Sequence, residues 1–245
     1  MNIAKHNVQE YGVHSSERLQ MPHQCSTISS SLYQADIAPC GSVRNLGAVF
    51  DSKMSMESQV GAVCRSVRYH LHNIGKIRRF LTRQACEDLV HALVTSRLDM
   101  YNGLLYGLPQ YLIDRLQRCQ NVAARIIMCR KRSCHITPVL HELHWLPVSQ
   151  RIRFKILVQV YRALNNLAPA YIEELLSRYT PTRALKSTDS FLLCVPRTRT
   201  NWGDRAFSKA GPVLWNGLPP VIKTATSLAA FKTRLKTLLF QESYA

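Results

Sequence analysis

Acidic residues are scarce in this chain. Only 15 Asp and Glu stand against 32 Lys and Arg, so the 245 residues carry a formal net charge of +17, with a pI near 9.9. An imbalance this large bears on partners rather than fold. It points to a polyanion, with nucleic acid first and an anionic membrane surface second. Long apolar runs are missing too. No run of 18 apolar residues occurs, so no segment is expected to span a bilayer. No basic start leads into an apolar stretch, so no secretory signal is read at the N-terminus. The eight cysteines are scattered rather than set in a tight framework, which fits reduced thiols in an intracellular protein. Neither Gly103 nor Gly107 is followed by Lys-Ser or Lys-Thr, so no phosphate-cradling P-loop is present. No nucleophile elbow accompanies the Ser, Cys, His and carboxylate residues that a hydrolase triad would need. No internal repeat occurs.

What the chain does have is apolar residues in sufficient number, 46%, for one large domain or two small ones. They are patterned mostly for helices. Residues 1–40 are the exception: they show no sustained period and a cluster of Ser and Thr, and read as disordered. VRNLGAVFD, around Val43 to Asp51, reads as a strand or hairpin with a close backbone approach at Gly47. Ser55 is expected to cap a helix over about Met56 to Phe80. In it Val60, Val63, Val67, Leu71 and Ile74 share one face, and Arg65, Arg68, His72, Lys76 and Arg79 share the opposite one. Only Glu57 interrupts the positive side. A solvated face usually mixes both signs to relieve repulsion, so an unmixed one favours a surface that meets phosphates.

Thr82 is read as the cap of the next helix, to about Leu98, with Leu89, Ala92, Leu93 and Val94 on its buried side. Gly107 and Pro109 then force a turn. A long basic helix follows, with Leu112, Leu116, Cys119, Ala123, Ile126 and Ile127 on one face and Arg118, Arg125 and Arg132 in a second stripe, seven apart. Short connections favour antiparallel succession of these three helices. Thr137 and Pro138 open a short helix. Another, over about Val148 to Asn165, carries Ile152, Ile156, Val160 and Leu164, and Pro169 starts one running to Ser177. Residues 181–200 read as a linker or arm, with FLLCV as a lone strand. Asp204 to Trp215 and Leu228 to Phe240, capped by Ser227, are the last helices. Cys129, Cys134, His135, His141 and His144 crowd together as C-x4-C-H-x5-H-x2-H, a spacing that matches no known zinc finger. A partly buried histidine cluster is expected there rather than a metal site. Trp145, Trp202 and Trp215 are read as anchors between loops and core.

With these residues in view, the chain resembles the reverse transcriptases of non-LTR (LINE-type) retrotransposons, and most of all their chicken-repeat-1 and jockey-like clades. The resemblance runs from about Ser42 to Phe240. It is carried by VRNLGAVFDSKMSM, VCRSVRYHLHNIGKIRRFLT, LVTSRLDMYNGLLYGLP, LQRCQNVAARII, the long block from HITPVLHELHWLPVSQ to LLSRYTP, GDRAFSKAGPVLWNGLP and SLAAFKTRLKTLLF, in the family's order. It implies a mainly α fold: a palm remnant at 41–54 with Leu46 and Gly47 as primer-grip-like residues, a helical thumb-like bundle at 55–133, a helical extension at 134–180 and C-terminal helices at 201–245, with one small β element at the N-terminal side.

The family's catalytic centre is a Tyr/Phe-x-Asp-Asp turn plus an earlier aspartate, which together hold two Mg²⁺ ions. The seven aspartates here are Asp36, Asp51, Asp88, Asp99, Asp114, Asp189 and Asp204, and no two are adjacent. The resemblance therefore implies a fragment of an RNA-directed DNA polymerase with no catalysis and no cofactor of its own, Mg²⁺ belonging only to the complete enzyme. Such a fragment would retain surfaces for an RNA–DNA hybrid or duplex. Arg65, Arg68, Lys76, Arg79, Arg118, Arg125 and Arg132 are the expected phosphate contacts. The missing palm and fingers would be a partner if carried on another chain, and the apolar face of residues 56–80 is expected to be weakened by their loss. The contrary reading is an inert or interaction-only helical remnant with no nucleic-acid role.

Overall fold

The structure, a computed structural model, describes residues 31–32, 35–36, 40–180 and 191–244. The disorder expected for most of 1–40, and the linker expected over 181–190, lie outside them. Within the N-terminal unit, Met1–Cys40, the described residues are Cys40 and an antiparallel pair of two-residue strands, β1 (Ser31–Leu32) and β2 (Ala35–Asp36). The second unit, Gly41–Ala245, is mainly helical.

This second unit starts with the antiparallel pair β3 (Ser42–Asn45) and β4 (Ala48–Asp51). Leu46 and Gly47 make the two-residue turn between them, both with positive φ (48° and 90°), the geometry that right-twisted strands require of so short a loop. The tip is docked: the Tyr101 hydroxyl donates to the Leu46 carbonyl, and a Cβ on Gly47 would meet that hydroxyl at 3.7 Å. At the other end Asp51 starts helix α1 (Glu57–Ile77). Its carboxylate accepts from the backbone of Lys53 (3.1 Å), Ser55 (2.8 Å) and Met56 (2.9 Å) and from the Ser55 hydroxyl (3.0 Å). Burial opposes ionisation, but these donors outweigh it and hold the carboxyl below its usual range. The boundary residue is Met56, in the left-handed region, and not Ser55; Ser55, itself held by Asp51, still takes one first-turn donor, its Oγ accepting from Glu57 N (3.3 Å).

Val60, Val67, Leu71 and Ile74 of α1 are buried as expected, with Cys64 fully buried where Val63 is only half-buried. Far from lacking neighbours, this face lies in the core of the chain itself. The Thr82 hydroxyl accepts from Ala85 N (3.2 Å) and caps α2 (Arg83–Val90). The helix passes through a π turn (His91–Thr95) into α3 (Ser96–Asp99). The buried positions are Cys86, Val90, Val94 and Leu98, whereas Ala92 is exposed. Strict four-residue steps drift around an α-helix of 3.6 residues per turn, and the wider π turn brings them back to one face. A 3₁₀ turn (Asn102–Leu105) and Gly107, at φ 68°, lead into α4 (Gln110–Ile127).

Helix α1 packs on α4, and the two run parallel. Glu57 meets Tyr111 at their N-terminal ends, and Arg78 reaches Ile126 and Ile127 at their C-terminal ends. The chain between them returns through α2, the up–down–up order that short connections favour. The apolar face of α4 is wider than the sequence pattern shows, since Ile113, Gln120 and Ala124 are buried beside the expected positions. Helix α5 (Thr137–Glu142) begins after Ile136, with no side-chain cap from Thr137.

Helix α6 (Val148–Leu164) is the axis of the remainder. It touches α3 and α4 on one side and α9 and α11 on the other. Val148, Ile152, Ile156, Leu157, Val158, Val160, Tyr161 and Ala163 are all buried, more than one stripe can hold, because the helix is covered from several directions. After α7 (Ala170–Glu173), which ends well short of Ser177, Arg178 and Leu193 form a single bridge. Residues 191–194 are tied to the fold through Leu193, although Phe191 and Cys194 are exposed. Leu193 is buried, Trp215 Nε1 donates to the Phe191 carbonyl (2.8 Å), and the Asn216 amide bonds the Leu193 backbone in both directions (2.9 Å each). Ala206 breaks the expected Asp204–Trp215 helix into α8 (Asn201–Arg205) and α9 (Phe207–Asn216). Then come α10 (Pro220–Lys223) and α11 (Leu228–Tyr244), where Ser227 Oγ accepts from Ala230 N (3.2 Å). Phe231, fully buried, stacks on Tyr161 at 4.3 Å between ring centres.

Candidate nucleic-acid interface

The parallel pairing of α1 and α4 sets their basic residues on the two banks of one groove of about 610 Å³. Arg68, His72 and Lys76 come from α1 and Arg118 from α4, with Gly75, Cys119, Val122 and Ile126 between them. No carboxylate lines it. Arg65 lies one turn earlier, where its guanidinium and that of Arg115 both approach Gly61. Arg115 was not singled out in the sequence, although its place three before Arg118 puts it on the same helix face. Among the described residues none of Arg65, Arg68, Lys76, Arg115 and Arg118 is ion-paired with a carboxylate.

Two thiols lie beneath these charges. Cys64 of α1 and Cys119 of α4 are buried and hydrogen-bonded to each other. That hydrogen bond pulls the Cys64 thiol down against its burial, with Arg115, Arg68 and Arg118 adding their positive field. The same bond, with burial, pushes Cys119 up.

The rest of the expected stripe is arranged differently. Arg79 follows the end of α1, in a 3₁₀ turn (Arg78–Phe80), with its guanidinium 4.6 Å from the exposed Phe80 ring centre. Helix α4 ends at Ile127, so the stripe of arginines seven apart does not continue to Arg132, which is exposed in the following turns. Arg125 is half-buried and donates through Nη2 to the Cys134 carbonyl (3.2 Å), and its Nε has no partner among the described residues. Leu46, the most exposed large apolar residue among the described ones at 84%, stands at the hairpin tip beside Gly47. Neither lines the groove.

Arg78 belongs to the frame of the groove instead. It donates to the carbonyls of Ile126 (2.8 Å) and Ile127 (2.8 Å), the open end of α4, and to Leu81 O (2.8 Å). No sequence spacing marks that role.

Among the described residues, Asp51, Asp88, Asp99, Asp114 and Asp204 are each taken up separately by the fold. Asp51 is bound by Lys53, Ser55 and Met56 just before α1, Asp99 by Arg151, and Asp204 by Lys209 and Thr198. Asp88 and Asp114 accept from Gln84 (3.0 Å) and Gln110 (2.8 Å). Among the described residues no three His, Cys, Asp or Glu side chains are grouped to hold a metal ion. His141 and His144 do meet, with ring centres 6.4 Å apart, against Phe240, but both are exposed. Cys129, Cys134 and His135 are exposed as well. Trp145 and Trp215 are buried anchors, whereas Trp202 is exposed. No described helix is long and apolar enough to cross a membrane.

Compared with protein families, curated proteins and solved structures, the chain matches none.

Proposed function

We propose that the α1–α4 groove binds the phosphate backbone of a nucleic-acid duplex, and that the chain is the thumb and C-terminal part of a LINE-type RNA-directed DNA polymerase without catalysis of its own. One observation carries the reading: Arg68, Lys76 and Arg118, from two helices, face one groove that contains no carboxylate. Cations left unpaired on converging helices repel one another, a cost that an array of phosphates relieves. Contacts of this kind position a duplex and read little sequence.

The test is fluorescence anisotropy with a labelled 20-base-pair RNA–DNA hybrid between 50 and 200 mM salt, with heparin as competitor. Four or five neutralised phosphates give a log–log salt slope of about −4. The double variant Arg68→Gln/Arg118→Gln is expected to flatten it by about two. A slope near zero, or one unchanged in the variant, overturns the reading. Heparin bound as tightly as the hybrid would favour the interaction-only remnant.

A further inference from the structure

On a different part of the molecule a second cavity, of about 710 Å³, opens between the end of β4, the 3₁₀ turn after α3, helix α6 and the α8–α9 junction. Its size is that of a small-molecule site. Phe50, Met56, Tyr101, Trp202 and Phe207 make its walls largely apolar and aromatic. Arg205 frames it: three of its N–H groups go to the carbonyls of Tyr106 (3.2 Å), Met54 (2.9 Å) and Leu104 (3.3 Å), so the loops around the mouth are tied to one side chain.

Three polar side chains on this lining, those of Asn102, Lys155 and Gln159, are not fully absorbed by the fold, and two of them define a ligand. Asn102 is 3% exposed. Its Nδ2 donates to Asp99 Oδ1 (3.3 Å), while its Oδ1, also buried, has no hydrogen-bond partner among the described residues. A buried acceptor without a donor is costly, and native structures rarely leave one so. The second group is the exposed Lys155, and no carboxylate lines the cavity with it. Aromatic walls, one buried acceptor and one cation, with no carboxylate on the lining, form a complementary set.

We propose that this cavity binds a flat aromatic acid with a ring N–H donor, the N–H bonding Asn102 Oδ1 and the acid meeting Lys155. Asn102 and Lys155 also border a smaller cavity beside Asp99, Trp145 and Arg151. That cavity contains the Asp99 carboxylate, which repels an anion, and the test separates the two. The inference does not depend on the nucleic-acid reading.

Indole-3-propionic acid is the probe, titrated into the full-length chain by isothermal calorimetry and by thermal shift. Saturable binding is expected. The 1-methyl analogue, which lacks only the N–H, is expected to bind about tenfold more weakly, and 3-ethylindole, which lacks the acid, several-fold more weakly. Ala206→Trp fills this cavity alone, from an exposed non-helical position, and is expected to abolish binding. Asn102→Leu is expected to bind the acid and its methyl analogue alike; if that variant does not fold, the pair of probes still decides. No binding at 1 mM probe, no penalty for methylation, or undiminished binding in Ala206→Trp would each overturn the proposal.

Discussion

The cations of the α1–α4 groove and those around α6 have opposite situations. Around α6 most are occupied by the fold: Arg151 binds Asp99, Arg153 binds Glu242 (2.7 Å), Lys209 binds Asp204, and Lys223 donates to the Asn216 carbonyl (3.2 Å). Arg205 closes three loops. In the groove Arg68, Lys76 and Arg118 have no carboxylate partner among the described residues, and the one fold contact among them is from Arg68 to the Cys119 thiol. The net charge of +17 is thus not one property. Part of it stabilises the fold, and part of it is available to a partner. Substitutions that move stability in one set and salt dependence in the other are the way to break or sharpen this contrast.

The largest effect is expected from Arg205→Ala. It leaves three carbonyls without a donor and removes the tie between residues 54, 104 and 106. A loss of about 2–4 kcal/mol should appear in urea unfolding, with the salt slope for duplex binding unchanged wherever the chain remains folded. An unaffected midpoint would remove Arg205 from the structural set.

Arg78→Ala comes next and is the sharper test, because Arg78 lies beside the groove yet serves the fold. Freeing the last carbonyls of α4 should cost about 2 kcal/mol. A change in salt slope without a loss of stability would place it with Arg68 instead.

Asp51→Asn probes the anchor on which α1, and so one bank of the groove, depends. The folded-state pKa of Asp51 is depressed. Its contribution is therefore fully present above the ordinary carboxylate range and is lost as pH falls through the folded value. The variant should lower stability at pH 7 by about 1 kcal/mol, the typical worth of a helix cap, and should lose less of what remains between pH 5 and 3 than the parent does. Parallel acid limbs for the two proteins would show that Asp51 is not the group being titrated.

These residues also mark how far the sequence could be read. The helices, the hairpin at Leu46–Gly47 and the unmixed face of α1 follow from periodicity, turn chemistry and charge, all local. The groove does not. That Arg68 and Arg118 face each other depends on α1 and α4 running parallel, which is settled by contacts 48 and 54 positions apart, Arg78 with Ile126 and Glu57 with Tyr111. Ser55 takes the Glu57 N–H, but the donors just before the helix, at Lys53, Ser55 and Met56, are gathered by Asp51, which no capping pattern marks. Asn102 gives no signal at all: an asparagine after a tyrosine in a turn looks ordinary until one of its amide atoms is found buried and the other bonded.

The smallest effect is expected from Arg132→Gln, and it tests where the groove ends. On a helix continued past Ile127, Arg132 would extend the line of Arg118 and Arg125, and losing it would cost about one unit of salt slope, as for any phosphate contact. The chain instead leaves the helix after Ile127, Cys129 takes up positive φ (50°), and Arg130 N bonds back to the Arg125 carbonyl (3.0 Å). Arg132 is carried off the helical line, and Arg125 is turned toward Cys134. At 0.15 M salt a charge more than about 8 Å from the nearest phosphate is largely screened, so Arg132→Gln should weaken binding less than about twofold and leave the slope where it was. A full unit lost at Arg132, with Arg118→Gln silent, would move the contact surface from the groove to the turn beyond α4. The unpaired cations between the helices would then be an ordinary solvated face.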